Sequence, residues 1–234
     1  MKLVLIPCPI AENTANEVLP LEIRNYVSQT QHFLVENVRT ARRFISELKL
    51  GLNIESLEFE ILDKDSQKSN IQQFLKKHLN LNTELIGVIS EAGCPGVADP
   101  GALAVSIAQE LGIEVIPLVG PSSILLSLMA SGFSGQSFCF HGYLPIDKTA
   151  RIKNIEQLNK EVQKSGQTQI FIETPYRNNA LLEDLLSHCP GNQLIHIACN
   201  IQGEGGFTQT KTALEWSKIK PDLHKKPCIF LLGC

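Results

Sequence analysis

The stretch SEAGCPGVADPG, Ser90 to Gly101, sets glycines and prolines around one aspartate directly after the apolar run LIGVIS. Glycine and proline present backbone N–H and carbonyl groups without bulky side chains, so such a loop lets the backbone approach a ligand closely. Asp99 followed by Pro100 is a helix start, with the aspartate as N-cap and the proline at the first helical position. Leu103, Ile107, Ala108 and Leu111 then share one face, and Gly112 ends the helix. Capping accounts for Asp99 and Pro100 and leaves EAGCPG as the part that suits a ligand. Neither G-x-G-x-x-G nor G-K-[ST] occurs here, which disfavours a phosphate cradle. A second loop, VGPSS at 119–123, follows another apolar run and opens an apolar helix ending at Gly132. Its Ser122 and Ser123 are placed to cap that helix or to donate hydrogen bonds to a ligand carboxylate.

Glu36, Asp99 and Glu173 are the carboxylates expected at strand ends, where a general base could stand. Glu36 in ENVR and Glu173 in ETPYR are each followed by an arginine, so an ion pair and a substrate-positioning role weigh evenly, ahead of direct base catalysis. His141 in FHGYLP is expected to be a satisfied structural histidine. The seven cysteines are scattered and never spaced C-x-x-C, which predicts neither a disulfide framework nor a zinc site; no metal is expected. Most are expected to be buried thiols in a reducing cytoplasm.

The elements that must position these residues alternate. KLVLIP, HFLVE, FEILD, LIGVIS and IEVIPLV are continuous apolar runs, as expected of strands covered on both faces. Between them, NVRTARRFISEL places Val38, Ala41, Ile45 and Leu48 on one helical stripe, with Gly51 as its stop. Such alternation predicts a mostly parallel sheet whose ligands bind at the carboxyl ends of the strands. Four further strands are expected in SFCFHGYLP, TQIFIETP, LIHIACN and CIFLLG, forming a second α/β unit with a mixed sheet. The expected domains are 1–116 and 117–234. The lysine-rich stretch 147–168 carries Ile152, Ile155, Leu158 and Val162 at helical spacing and is expected to be a solvated amphipathic helix.

A formal net charge of −3 and a pI near 6.1 argue against holding nucleic acid or anionic membrane by bulk charge, so a polyanion would need a local basic patch. The opening MKLVLIPCPIAENTANEVLP resembles neither a signal peptide nor a membrane span, and no other segment approaches spanning length.

Taken in order, SEAGCPGVADPG, VIPLVGPSSILLSLMASG, FHGYLP and IFIETPYRNNALLEDL resemble the tetrapyrrole methylase superfamily, and within it the 16S ribosomal RNA cytidine 2'-O-methyltransferases. LIPCPIAEN occupies the place of that branch's P-I-G-N-L loop. The resemblance implies two α/β domains with S-adenosylmethionine in the cleft between them, and a cytoplasmic homodimer. It implies cofactor contacts from Pro9, Ser90, Ala92, Gly93, Val97, Asp99, Gly120, Ser122, Ser123 and Pro227, many through backbone groups. Glu36 and Glu173, as carboxylates at strand ends, are the catalytic candidates, and Arg39, Arg42, Tyr176 and Arg177 are the expected contacts if the substrate is RNA. Arg43 and Arg151 are further phosphate candidates, and Tyr143 a further base-stacking one.

The chain departs from that pattern at several places. Ala11 stands where the first loop has glycine, VENVRTARR lacks the branch's histidine, and ILDKDSQKSN replaces a histidine-bearing segment. CNIQGEGG replaces R-E-L-T-K and so removes an arginine and a lysine suited to phosphate. The sequence closes on KPCIFLLGC, where the ribosomal enzymes commonly carry a further stretch. The expected activity is ribose 2'-O-methylation of ribosomal RNA. The alternatives are C-methylation of a tetrapyrrole, or cofactor binding without transfer.

Overall fold

The computed structural model describes all residues from 1 to 234, which divide into two compact units, Met1–Ser122 and Ser123–Cys234. The first unit holds five strands, β1 (Lys2–Ile6), β2 (His32–Val35), β3 (Glu58–Ile61), β4 (Leu85–Ile89) and β5 (Glu114–Pro117). They form one all-parallel sheet in the order β3-β2-β4-β1-β5. Its helices are α1 (Ala15–Val18), α2 (Leu21–Gln29), α3 (Val38–Glu47), α4 (Lys68–Asn80) and α5 (Gly101–Glu110).

Both faces of this sheet are covered, which is why its central strands β1, β2 and β4 are apolar without alternation. Val4, Ile6, Phe33 and Val35 pack with Ile23 and Val27 of α2 and Ala41, Phe44 and Ile45 of α3. Leu3, Leu34, Ile86 and Val88 point the other way, onto Ile71 and Leu75 of α4 and Ala104 and Ile107 of α5. The chain therefore leaves β1 toward one face and β4 toward the other, although β1 and β4 are neighbours. Divergence between adjacent parallel strands opens a crevice at their carboxyl ends, the place where doubly wound sheets bind ligands.

The second unit has a mixed sheet in the order β6-β7-β10-β8-β9, with β6 (Phe138–Tyr143) parallel to β7 (Thr168–Glu173). Its remaining strands, β8 (Leu194–Cys199), β9 (Phe207–Thr212) and β10 (Cys228–Gly233), pair antiparallel. Helices α7 (Lys148–Ser165), α8 (Asn178–His188) and α9 (Ala213–Ile219) cover one face around the buried Trp216, whose indole N–H donates to the Ile195 carbonyl at 2.8 Å. Helix α6 (Ser123–Ser131) sets Leu128 on the other face, against Ile170, Ala198, Ile229 and Leu231. No helix is long and apolar enough to cross a membrane.

The edge strand β9 lies outside the sequence expectations, as do helices α1, α2, α4, α8 and α9. The sequence FTQTKT of β9 has one apolar residue, and its pairing with β8 recruits it. Helix α3 ends at Glu47, before the expected stop at Gly51; two left-handed residues follow it, Lys49 with φ of 53° and Gly51 with φ of 71°. Four of the seven cysteines are buried, Cys94 and Cys139 are half-buried, and Cys234 is exposed.

Candidate functional site

At the carboxyl ends of the first sheet, Cys8 N–H donates to the Gly93 carbonyl at 2.9 Å and Gly93 N–H donates back to Cys8 at 3.1 Å. This isolated antiparallel bridge ties the loop after β1 to the loop after β4. Gly93 has a φ of +73°, a left-handed conformation that favours glycine. Ser90, buried at the end of β4, directs its hydroxyl at the Ala92 and Gly93 carbonyls, both at 3.3 Å. The loop after β5 joins the same assembly. A Cβ on Gly120 would stand 2.1 Å from Pro7 Cβ, and Cys94 Sγ lies 3.3 Å from the Pro121 carbonyl. Gly120 is thus explained by close packing of the β5 loop on the β1 loop.

Asp99 is not the residue that precedes α5. Pro100 holds that position, without a side-chain cap, and the helix begins at Gly101. Asp99 Oδ1 accepts from Gly101 N at 2.7 Å, as a capping residue would, and also from Gly96 N at 2.6 Å. One carboxylate oxygen therefore draws the loop onto the helix start, so capping alone does not account for Asp99. The other oxygen, Oδ2, is buried with no hydrogen-bond partner. Burial raises the Asp99 pKa, and the two backbone N–H groups oppose that rise. Glu36, just past β2, accepts from Glu91 N at 3.3 Å. Burial raises its pKa as well, reinforced by the negative charges of Asp99, Glu91 and Asp63. Glu36, Ser90, Asp99 and Gly101 line one small pocket.

Beside it lies a larger pocket of about 600 Å³, walled by the first loop from Cys8 to Asn13, by Glu91 and Ala92, and by α3. Its size falls within the range of small-molecule sites. Asn37 starts α3 by accepting from Arg39 N and Thr40 N, which directs that helix's N-terminus at the carboxyl end of the sheet. Thr40, Arg43, Phe44 and Glu47 face the pocket, and Thr40 Oγ1 lies 3.4 Å from Glu91 Oε1. Arg43 pairs with Glu12 at 3.4 Å. Sequence reasoning singled out none of Thr40, Phe44 and Glu47, although their spacing with Arg43 makes one helical stripe. Cys8 gave no signal of its own.

Of the residues expected to contact the cofactor, Pro9, Ser90, Ala92, Gly93, Asp99 and Gly120 are brought together here with Glu36. Val97 sits exposed on the same loop, and Ser122 ends the first unit. Arg39 is exposed near the start of α3, while Arg42 turns its guanidinium over the Phe59 ring, 5.5 Å from its centroid.

The second unit gathers a separate group. Glu173, buried at the end of β7, accepts from Arg177 Nη2 at 2.6 Å, from Arg177 Nε at 3.0 Å and from Thr174 N at 2.6 Å, all on Oε1. Its Oε2 is buried without a partner. Lys225 N donates to the Pro175 carbonyl at 2.9 Å, which ties the approach to β10 to this turn, and Asn200 N donates to the Pro227 carbonyl at 2.8 Å, which ties it to the end of β8. Tyr176 is 71% exposed and meets His224 edge-on at 5.9 Å. Ser123 is the first residue of α6. His141 is partnered, with Nε2 2.7 Å from Gln169 Oε1, and Tyr143 is exposed. Arg151 is no surface arginine: it is buried and pairs with Asp184 at 2.7 Å, because α7 packs on α8 there.

No family model matches the chain. It is 33% identical over 156 residues to a ribosomal RNA small subunit methyltransferase I of Vibrio cholerae, covering 67% of this chain and 52% of that protein. A protein of the same name from Buchnera aphidicola subsp. Acyrthosiphon pisum is 28% identical over 236 residues, covering 98% of this chain and 78% of its own length. Against the Vibrio protein and a second Buchnera relative, the chain spans about half their length. Uroporphyrin III C-methyl transferase from Thermus thermophilus superposes with a TM-score of 0.61 at 14% identity, over 100% of this chain and 97% of that one. The methyltransferase CobJ gives 0.63 at 15% identity, over 99% and 93%. At those identities the solved structures speak for the fold, two α/β sheets of which the first is parallel and the second mixed, and the curated relatives carry the kinship: the chain is related to the proteins named ribosomal RNA small subunit methyltransferase I.

Proposed function

We propose that the protein is an S-adenosylmethionine-dependent methyltransferase that methylates a ribose 2'-hydroxyl of ribosomal RNA. The observation that carries the reading is the bridge between Cys8 and Gly93, which fixes two backbone-rich loops beside a 600 Å³ pocket at the carboxyl ends of a parallel sheet. Relatives named ribosomal RNA small subunit methyltransferase I support the RNA acceptor.

The residues fit the cofactor. Among the pocket's charged residues Glu12, Glu47 and Glu91 outnumber Arg43 and Lys49, and with Arg43 paired to Glu12 the carboxylates of Glu47 and Glu91 suit a ligand carrying a sulfonium and an amino group. Asp99 Oδ2 is a buried acceptor with no partner in the protein. Pro9, Ser90, Ala92, Gly93, Val97, Asp99, Gly120 and Ser122 of the first unit would hold the cofactor. Bound there, it supplies a methyl group activated by a positively charged sulfur.

In-line displacement demands alignment of acceptor, methyl carbon and leaving group, so positioning is the main task of the chain. Glu36, whose pKa is raised, is the carboxylate suited to accept the proton of the acceptor hydroxyl. Glu173 is engaged by Arg177, so its part is to aim that guanidinium at an RNA phosphate. Arg39, Arg42 and the exposed Tyr176 complete the substrate contacts. A ribosomal RNA acceptor supports a cytoplasmic location. Exposed Met129, Tyr143 and Ile146 in the second unit support a homodimer.

Incubation of the purified protein with methyl-labelled S-adenosylmethionine and unmethylated small ribosomal subunits tests the reading. Label is expected in a ribose-methylated nucleoside, and Glu36→Gln should slow transfer more than it weakens cofactor binding. Label entering a precorrin-like tetrapyrrole instead, or binding with no transfer to either acceptor, overturns it.

A further inference from the structure

At the opposite, amino-terminal end of the first sheet, His32 and Glu58 are the first residues of β2 and β3 and stand in register across the pair. His32 Nδ1 lies 3.1 Å from Glu58 Oε2. His78, in the last turn of α4, closes over them, with its ring centroid 4.3 Å from that of His32. Each of the three side chains offers one ligand atom, and those atoms all lie within 4.8 Å of one another.

A second observation points to a ligand. His78 is 1% exposed, yet its Nε2 has no hydrogen-bond partner. Its Nδ1 is engaged 3.1 Å from the Thr83 hydroxyl. With Nδ1–H donated to Thr83, the lone pair is left on Nε2 in a buried site, which costs free energy unless something accepts it. A histidine whose second nitrogen is anchored by an oxygen partner is also the usual state of a metal ligand, because that bond fixes tautomer and ring orientation.

We propose that His32, Glu58 and His78 form a divalent metal site of the zinc class, separate from the loops at the carboxyl ends of the strands. Two imidazoles and one carboxylate make a borderline-soft donor set, which suits zinc and its first-row neighbours and not magnesium or calcium, whose sites are built from oxygen. Ligand bonds of about 2.0–2.2 Å to tetrahedral zinc bring donor atoms to within roughly 3.5 Å of one another. The His32–Glu58 pair already meets that spacing. Glu58, whose side chain is 61% exposed, has room to adjust toward His78. Three protein ligands leave the fourth position to water or to an external donor.

The test is zinc titration of the full chain against a chromophoric chelator, with thermal melting in parallel. One zinc per chain is expected, together with a higher melting temperature in zinc. Glu58→Gln and His32→Asn should each weaken binding by at least about 10–100-fold, the loss seen when even an outer-shell partner is removed. Glu58 is exposed and His32, half-buried at the start of its strand, is replaced by a smaller polar residue, so both should fold; His78→Ala is avoided because it would open a buried cavity. Absence of saturable binding at micromolar zinc overturns the proposal. So does zinc bound with equal affinity by the wild type and both variants, which would place the ion on the free thiols.

Discussion

Cys8 and Gly93 exchange both of their backbone hydrogen bonds, at 2.9 and 3.1 Å, across two loops that leave neighbouring parallel strands toward opposite faces of the sheet. Divergent loops of this kind would otherwise be the most mobile part of a doubly wound unit. The latch holds their N–H and carbonyl groups in a fixed array, which lowers the ordering cost of binding a small ligand there.

Two glycines of this array fail differently when substituted. Gly93 has open space, since a Cβ would meet nothing closer than the Pro121 carbonyl at 3.5 Å, so Gly93→Ala carries only the cost of a left-handed conformation, about 1–2 kcal/mol. A Cβ on Gly120 would stand 2.1 Å from Pro7 Cβ, and a loop must move. Urea unfolding should show a small loss for Gly93→Ala and a larger one for Gly120→Ala. Equal losses would mean that Pro7 and Gly120 are not in close contact. Binding tests of the site accordingly belong on Gly93, because loss of binding in a Gly120 variant would not separate a ligand contact from a displaced loop.

Fold and site were legible to different depths. Nine of the ten strands lie in apolar runs; in β1, β2, β4, β7, β8 and β10 burial on both faces requires them, the edge strands β3, β5 and β6 carry such runs without a buried residue, and FTQTKT forms an edge strand through its partner with no pattern of its own. The loops of the site were readable because glycine and proline mark a special backbone. What those loops bond to was not: Asp99 looks like a cap in one dimension, and only folding brings Gly96 and Gly101 to the same oxygen. Charge was the least readable feature, since an arginine in a polar stretch looks the same whether it faces solvent or a buried aspartate.

Arg151 is the case in point. Its side chain is 9% exposed, donates to Asp184 Oδ2 through Nε at 2.8 Å and to the Ile146 carbonyl through Nη1 at 2.8 Å. Asp184 is 6% exposed and has one further cation nearby, Lys148 at 3.7 Å. Arg151→Met leaves that carboxylate buried and nearly uncompensated, a loss of about 3–5 kcal/mol. The double variant Arg151→Met/Asp184→Leu should recover most of it. RNA affinity of whatever fraction stays folded should match wild type. A weakened RNA complex with unchanged stability would instead return Arg151 to the substrate surface.

His196 makes stability depend on pH. It is fully buried on β8, with Nδ1 2.8 Å from Thr210 Oγ1, and that hydroxyl donates to the Ser131 carbonyl at 2.7 Å. Thr210 therefore accepts from Nδ1–H, while Nε2 is buried without a partner. Burial lowers the His196 pKa from 6.5 to about 4. Between those values the unfolded chain takes up a proton that the folded protein refuses, so acidification favours unfolding. The contribution is fully present above pH 6.5 and is lost progressively on the way down to pH 4, about 3 kcal/mol in all. Glu36 and Asp99, whose pKa values are raised, act in the opposite sense, because folding increases their proton uptake. The informative quantity is therefore the difference between wild type and His196→Gln. Urea unfolding at pH 7.5 and at pH 5 should give a wild-type curve that falls more steeply with acid than the variant's. Parallel pH profiles for the two proteins would show that His196 titrates alike in the folded and unfolded chain, so that burial does not hold it neutral.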